Sequence, residues 1–115
     1  MNISAVILTK NEEGNIAECL HGLNFCDEII VVDDGSYDKT VEIARGLGAK
    51  VFARSLNGDF AGQRNFGLEK AVNKWVLFID ADERVSKELK DEIEKEVSML
   101  NNYYLGYLFK RDDYI

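Results

Sequence analysis

Trp75-Val76-Leu77-Phe78-Ile79-Asp80-Ala81-Asp82-Glu83 is the stretch from which the rest of the chain can be read. The apolar run Trp75 to Ile79 is strand-sized and has the continuous character of a strand covered on both faces. Side chains two apart on a strand project the same way, so Asp80 and Asp82 are expected side by side, about 7 Å apart. They would stand at the C-terminal edge of the sheet, which in an open α/β sheet is where ligands bind. At an effective dielectric near 20 their repulsion is about 2 kcal/mol. Something positive belongs between them, and a divalent metal held by Asp80 and Asp82 is the leading candidate.

Strands and helices alternate around this run. Ile3-Ser4-Ala5-Val6-Ile7-Leu8 reads as a first strand, followed by a helix with Ile16, Cys19, Leu20 and Leu23 on its apolar face. Glu28-Ile29-Ile30-Val31-Val32-Asp33 is a second strand, closed by the turn residues Asp33-Asp34-Gly35-Ser36. Ser36 or Asp38 can cap a second helix that ends at Gly48 and is expected to bury Val41, Ala44 and Leu47. Lys50-Val51-Phe52-Ala53 is a short, more polar strand, expected near a sheet edge. A loop with Gly58 and Gly62 should lead to a third helix carrying Leu68, Ala71 and Val72. After the Trp75 strand, Ser86 caps a fourth helix with Leu89, Ile93, Val97 and Leu100 inward. Its charged face, Lys87 to Glu96, reads as a solvated surface. Tyr103 to Phe109 alternates like a final strand, with Tyr103, Leu105, Tyr107 and Phe109 on one face.

This pattern predicts an α/β fold, a mostly parallel sheet with helices on both faces joined by right-handed crossovers. Residues 1–115 read as one domain, and because the sequence stops just after a strand, it reads as the first part of a larger one. An unpaired last strand would invite a homodimer.

Composition narrows the classes. Hydrophobic residues at 46% and charged residues at 30% are ordinary for a globular protein and argue against disorder. No apolar run approaches the ~20 residues of a membrane span, and Met1-Asn2-Ile3-Ser4 lacks a basic leader, so a cytoplasmic location is expected. The net charge of −7 argues against nucleic acid as a partner. It also means that a phosphorylated ligand would need a local cation. Cys19 and Cys26 lack a zinc pattern, and Cys19 fits a packing role. His21, on the opposite side of its helix, reads as surface.

Three strand ends carry polar groups on the same edge: Thr9-Lys10-Asn11-Glu12, Asp33-Asp34-Gly35-Ser36 and Asp80-Ala81-Asp82. Taken singly, the first can be a helix start and the second a turn with a cap. Together they suit a nucleoside diphosphate. Carboxylates can accept hydrogen bonds from a base and a ribose, and the acidic pair can hold Mg²⁺ or Mn²⁺ against phosphates. No glycine-rich dinucleotide fingerprint or P-loop is present, so metal must do the gripping.

In family order, Ser4 to Glu12, Glu28 to Ser36 with Asp38 and Thr40, Gln63-Arg64-Asn65 with Gly67, and Phe78 to Glu83 resemble the family 2 glycosyltransferases. The resemblance implies a Rossmann-like GT-A half-domain that binds a nucleotide-diphospho-sugar. The Lys10-Asn11-Glu12 and Asp80-Ala81-Asp82-Glu83 forms look most like the branch of the lipopolysaccharide-core glucosyltransferases. By position, Asp82 would bind the metal, and Asp80 would contact the ribose or share the metal. Asp34 would read the base, usually uracil. Thr9, Lys10 and Glu12 would line the nucleoside, and Arg64 would lie near the base or phosphates. A helix-surface arginine is the plain alternative for Arg64.

The resemblance further implies a UDP-sugar as donor and a glycan or lipid-linked acceptor at the inner face of the membrane, in cell-envelope biosynthesis. The family's catalytic base and acceptor site come from a later half, so no base is named. Two alternatives stand beside transfer. One is a non-catalytic nucleotide-sugar-binding module. The other is a haloacid-dehalogenase-type phosphatase, disfavoured because the acidic pair follows the fourth strand and Arg84 stands where a small or hydroxylated residue belongs.

Overall fold

The computed structural model describes residues 2–98 and 108–110. Its elements are β1 (Ile3–Thr9), α1 (Ile16–His21), β2 (Glu28–Asp33), α2 (Thr40–Gly46), β3 (Lys50–Ala53), α3 (Phe60–Lys70), β4 (Trp75–Asp80), α4 (Lys87–Ser98) and β5 (Leu108–Lys110). The strands form one sheet in the order β3-β2-β1-β4-β5. β1 to β4 are mutually parallel, with β3 at the edge as its polar ends suggested. β5 runs antiparallel to β4, with Leu108 opposite Leu77. The last described strand is therefore paired, where the sequence left it without a partner.

The period-two pattern of the strands divides the core between two faces. Ile3, Ala5 and Ile7 of β1, with Trp75, Leu77 and Ile79 of β4, pack against Ile16, Cys19 and Leu20 of α1, Ala44 of α2 and Ile93 of α4. Val6, Ile30, Val32 and Val76 face the other way, against Leu68 and Ala71 of the α3 segment. Helices thus cover both faces. On the α3 side the fit is close: a Cβ on Gly67 would overlap Val6 Cγ1 and lie 3.4 Å from Val32 Cγ2.

Several helix faces differ from expectation. α2 buries Thr40 and Ala44, whereas Leu47 is exposed. The Thr40 hydroxyl is drawn inward by the Glu12 N–H, which rotates the helix from the expected Val41-Ala44-Leu47 stripe. Gly62 lies in the first turn of α3 and not in the preceding loop, and its N–H is capped by Asp59 Oδ1 at 2.9 Å. Val72 is 66% exposed, because α3 stops at Lys70 and the chain is already extended at Ala71. In α4 the expected cap holds, with Leu89 N–H donating to Ser86 Oγ at 3.0 Å, and Ile93 is fully buried. Leu100 and residues 99–107 lie outside the described residues. Leu108 is buried, and the expected Tyr103, Leu105 and Tyr107 positions lie outside the described residues.

At the sheet edge opposite the strand C-termini, Glu28 is buried and fully partnered. Its carboxylate accepts from Ser4 Oγ (2.6 Å), Val72 N–H (3.0 Å) and Lys50 Nζ (2.6 Å), which ties β1, β2, β3 and the α3–β4 turn together. Burial raises the Glu28 pKa, but the hydrogen bonds from Lys50, Ser4 and Val72 outweigh it and hold the group below its ordinary value of 4.5. A depressed folded value means that the stabilisation is fully present above 4.5 and is lost as pH falls through the lowered value. Glu28→Gln is expected to lose about 2 kcal/mol at neutral pH. In urea titrations across the acid range, the gap between wild type and variant should narrow below pH 4.5.

Candidate functional site

The C-terminal ends of β1, β2 and β4 meet in a cleft of about 290 Å³, lined among others by Thr9, Lys10, Glu12, Asp34, Asp80 and Asp82. These are six of the seven site residues expected from the sequence. The seventh, Arg64, is exposed on α3 and does not line the cleft; its neighbour Gln63 does. Gln63 is buried and locked to Arg54, accepting from Nη1 at 2.7 Å and donating to the Arg54 carbonyl at 2.6 Å. Leu8, Leu56, Phe60 and Ala81 complete the lining. Phe60 is 54% exposed and gives the cleft an apolar wall. Spacing alone gave no signal for Leu56 or Phe60, which arrive from the β3–α3 connection and the first turn of α3.

The β1 and β2 ends are built around one acid. Asp33 is buried, and its carboxylate accepts from Thr9 Oγ1 (2.7 Å), Ser36 Oγ (2.6 Å) and Ser36 N–H (2.7 Å). Ser36 Oγ in turn accepts from Asn11 N–H at 2.8 Å, and Asn11 Oδ1 accepts from Tyr37 N–H at 3.0 Å. Asn11 holds a left-handed backbone (φ 53°), a conformation that asparagine tolerates better than most residues. The Glu12 N–H donates to Thr40 Oγ1 at 2.7 Å. Asp38, one residue outside the α2 cap, accepts from Thr40 N–H at 2.9 Å. The two loops are thus laced together, and the next acid, Asp34, stands at the cleft. One Asp34 oxygen accepts from Leu56 N–H at 2.8 Å; the other lies 4.0 Å from the half-exposed Lys10 Nζ.

The β4 end is different. Asp80 ends the strand and Asp82 lies in the turn beyond it, so the pair is not two consecutive positions on one strand face. The turn is fixed by its own bonds: Asp80 N–H donates to Glu83 Oε1 at 2.8 Å, and Glu83 N–H to the Asp80 carbonyl at 2.9 Å. Glu83 is therefore engaged in holding the turn. Cys19, whose thiol burial pushes up to about 11, packs beneath with Sγ 3.7 Å from the Asp80 carbonyl. Among the described residues, no hydrogen bond or ion pair engages the carboxylate of Asp80 or Asp82. No set of three or more His, Cys, Asp or Glu side chains that could hold a metal occurs among them either. A two-carboxylate donor set of hard oxygens suits Mg²⁺ or Mn²⁺ shared with ligand phosphates, not a closed protein cage.

With this geometry in view, the chain belongs to glycosyl transferase family 2, whose profile matches residues 4–113. It is similar to an uncharacterised glycosyltransferase of Rickettsia typhi, at 49% identity over 94% of this chain and 37% of that protein. It is also similar to the lipopolysaccharide core biosynthesis glycosyltransferase LpsC of Rhizobium meliloti, at 33% identity over 98% of this chain and 43% of that protein. Among solved structures it resembles glucosyl-3-phosphoglycerate synthase of Mycobacterium tuberculosis in complex with Mn²⁺, UDP and glucosyl-3-phosphoglycerate. There the TM-score is 0.62 at 26% identity, covering 71% of this chain and 35% of that one. The chain spans well under half the length of these proteins. The fold is the GT-A fold of the glycosyltransferases. Family membership also removes the phosphatase alternative.

Asp33→Ala removes the acceptor of three hydrogen bonds inside the protein. It is expected to cost about 3 kcal/mol, read as a lowered urea midpoint with an unchanged slope.

Proposed function

We propose that this chain is the nucleotide-sugar-binding domain of a metal-dependent glycosyltransferase, with a UDP-sugar as donor. The observation that carries the reading is the contrast within one cleft. Asp33 is fully engaged inside the protein, whereas Asp80 and Asp82 present carboxylates that no described residue engages. The Mn²⁺- and UDP-bound synthase of similar fold supports the choice of nucleotide and metal. Thr9, Lys10, Glu12 and Asp34 form the nucleoside side, with Asp34 positioned by Leu56 N–H to accept from a base. Phe60 offers an apolar surface beside it. Lys10, free to turn from Asp34 toward a phosphate, supplies a protein cation to the donor.

Asp82, with Asp80 beside it, would hold Mg²⁺ or Mn²⁺. Bound there, the ion would neutralise the diphosphate and so favour its departure from the sugar. Arg64 belongs to this reading only as a residue outside the cleft. The likeness to LpsC supports a glycan or lipid-linked acceptor in cell-envelope assembly, met at the inner face of the membrane. No helix among the described residues is long and apolar enough to cross a membrane.

The test is a calorimetric and thermal-shift panel of nucleoside diphosphates and their sugars, with and without Mn²⁺. Wild type is expected to bind UDP at least tenfold more tightly with Mn²⁺. Asp82→Ala should lose that increment while keeping its melting temperature, because no described residue bonds its carboxylate. Asp33→Ala should instead lower the melting temperature and retain more of the metal increment. Equal, metal-independent binding by wild type and Asp82→Ala would overturn the metal assignment. Mn²⁺-dependent UDP binding without transfer or hydrolysis of any UDP-sugar would favour the non-catalytic module.

A further inference from the structure

Arg84 is the side chain whose bonding the reading above leaves unused. It is partly exposed, yet its guanidinium donates to four acceptors. Nε meets Glu18 Oε2 at 2.9 Å, and Nη1 meets the carbonyls of Ala81 and Glu83, both at 3.0 Å. Nη2 meets Asn15 Oδ1 at 3.1 Å. The Asn15 amide then donates through Nδ2 to Glu12 Oε2 at 3.3 Å. A continuous path therefore runs from the turn that carries Asp82, through Arg84 and Asn15, to Glu12 on the other wall of the cleft.

An exposed ion pair with Glu18 would by itself contribute little. The rigid fork of arginine is suited to a different task, fixing several acceptors in one plane. Two of those acceptors are main-chain carbonyls on either side of Asp82, and so they define where its carboxylate can go. Lysine, with a point charge, could not reproduce this set.

We propose that Arg84 is a positioning residue: it fixes the Asp80-Ala81-Asp82 turn against the Glu12 wall through Asn15, and thereby sets the affinity of the site for a divalent cation. The role rests on the donor-site reading for its purpose, but the brace itself is a property of the protein without ligand. Two measurements separate them.

The first is amide hydrogen exchange of the free protein. In Arg84→Lys, the amides of Asp80 and Glu83, which close the turn, should exchange at least tenfold faster than in wild type. Glu18→Gln, which weakens only the ion pair, should stay within twofold. The second is titration of Mn²⁺ in the presence of UDP, followed by electron paramagnetic resonance of the free ion. Arg84→Lys should raise the half-saturating Mn²⁺ concentration about tenfold, while uridine affinity measured without metal stays within twofold. A residue that merely stabilised the fold would weaken both together.

Should Arg84→Lys fail to fold, Asn15→Ala removes the bridge alone and should give the same split at smaller amplitude. Exchange rates and Mn²⁺ half-saturation both within twofold of wild type would overturn the positioning role. Wild type that takes up no Mn²⁺ with UDP would overturn the donor reading instead, and the exchange rates would still decide the brace.

Discussion

The β1 and β2 side of the ligand edge depends on the burial of one negative charge. A carboxylate taken from water into a protein must be surrounded by donors or it is very costly. Asp33 meets that demand with two hydroxyls and a main-chain N–H, drawn from the end of β1 and from the loop after β2. Satisfying the charge therefore brings two loops together that are distant in sequence. Ser36, Thr40 and Asn11 extend the joint outward, their side-chain oxygens accepting from the main-chain N–H groups of Asn11, Glu12 and Tyr37. The β1 and β2 wall of the cleft is the outer surface of this network.

The acids of the site consequently divide by what surrounds them. Asp33 and Glu28, at opposite edges of the sheet, are structural anchors. Glu83 is turned back onto its own turn. Asp34 has one oxygen engaged and one toward the cleft, and Asp80 and Asp82 have carboxylates that no described residue engages. In an acidic chain of net charge −7 such a pair is tolerated because both groups are exposed to water at a cleft mouth. The same solvation leaves them available to an ion.

The strands and most of the cleft were legible in the sequence because hydrophobic continuity and strand-end polarity are local signals. β2 was read with its bounds, β4 to within one residue, and six of the seven named site residues share one cleft. What was not legible depends on rotation and on distant partners. The face that α2 buries is decided by Thr40 bonding to Glu12, a contact across 28 positions of sequence. Gln63 and Arg64 are adjacent and both polar; only the register of α3 against β1 and β2 decides which one enters the site. Antiparallel pairing of β5 could not be read from a succession of strands and helices that otherwise signals parallel strands. Glu83 follows the pair directly in sequence, and its engagement with the Asp80 N–H is visible only in three dimensions.

The contact between Gly67 and Val6 has a consequence for how such a chain can drift in sequence. The space that a side chain at position 67 would need is already filled by a methyl of Val6. The two positions share one volume, so position 67 cannot gain bulk unless position 6 yields it. Substitution by larger residues is closed at position 67 while valine stands at position 6, and a smaller residue at position 6 would first open it. Because Leu8 of the same strand lines the cleft, a shift of β1 to relieve that crowding would be carried to the ligand edge. Selection on the site thus reaches two residues that touch no ligand.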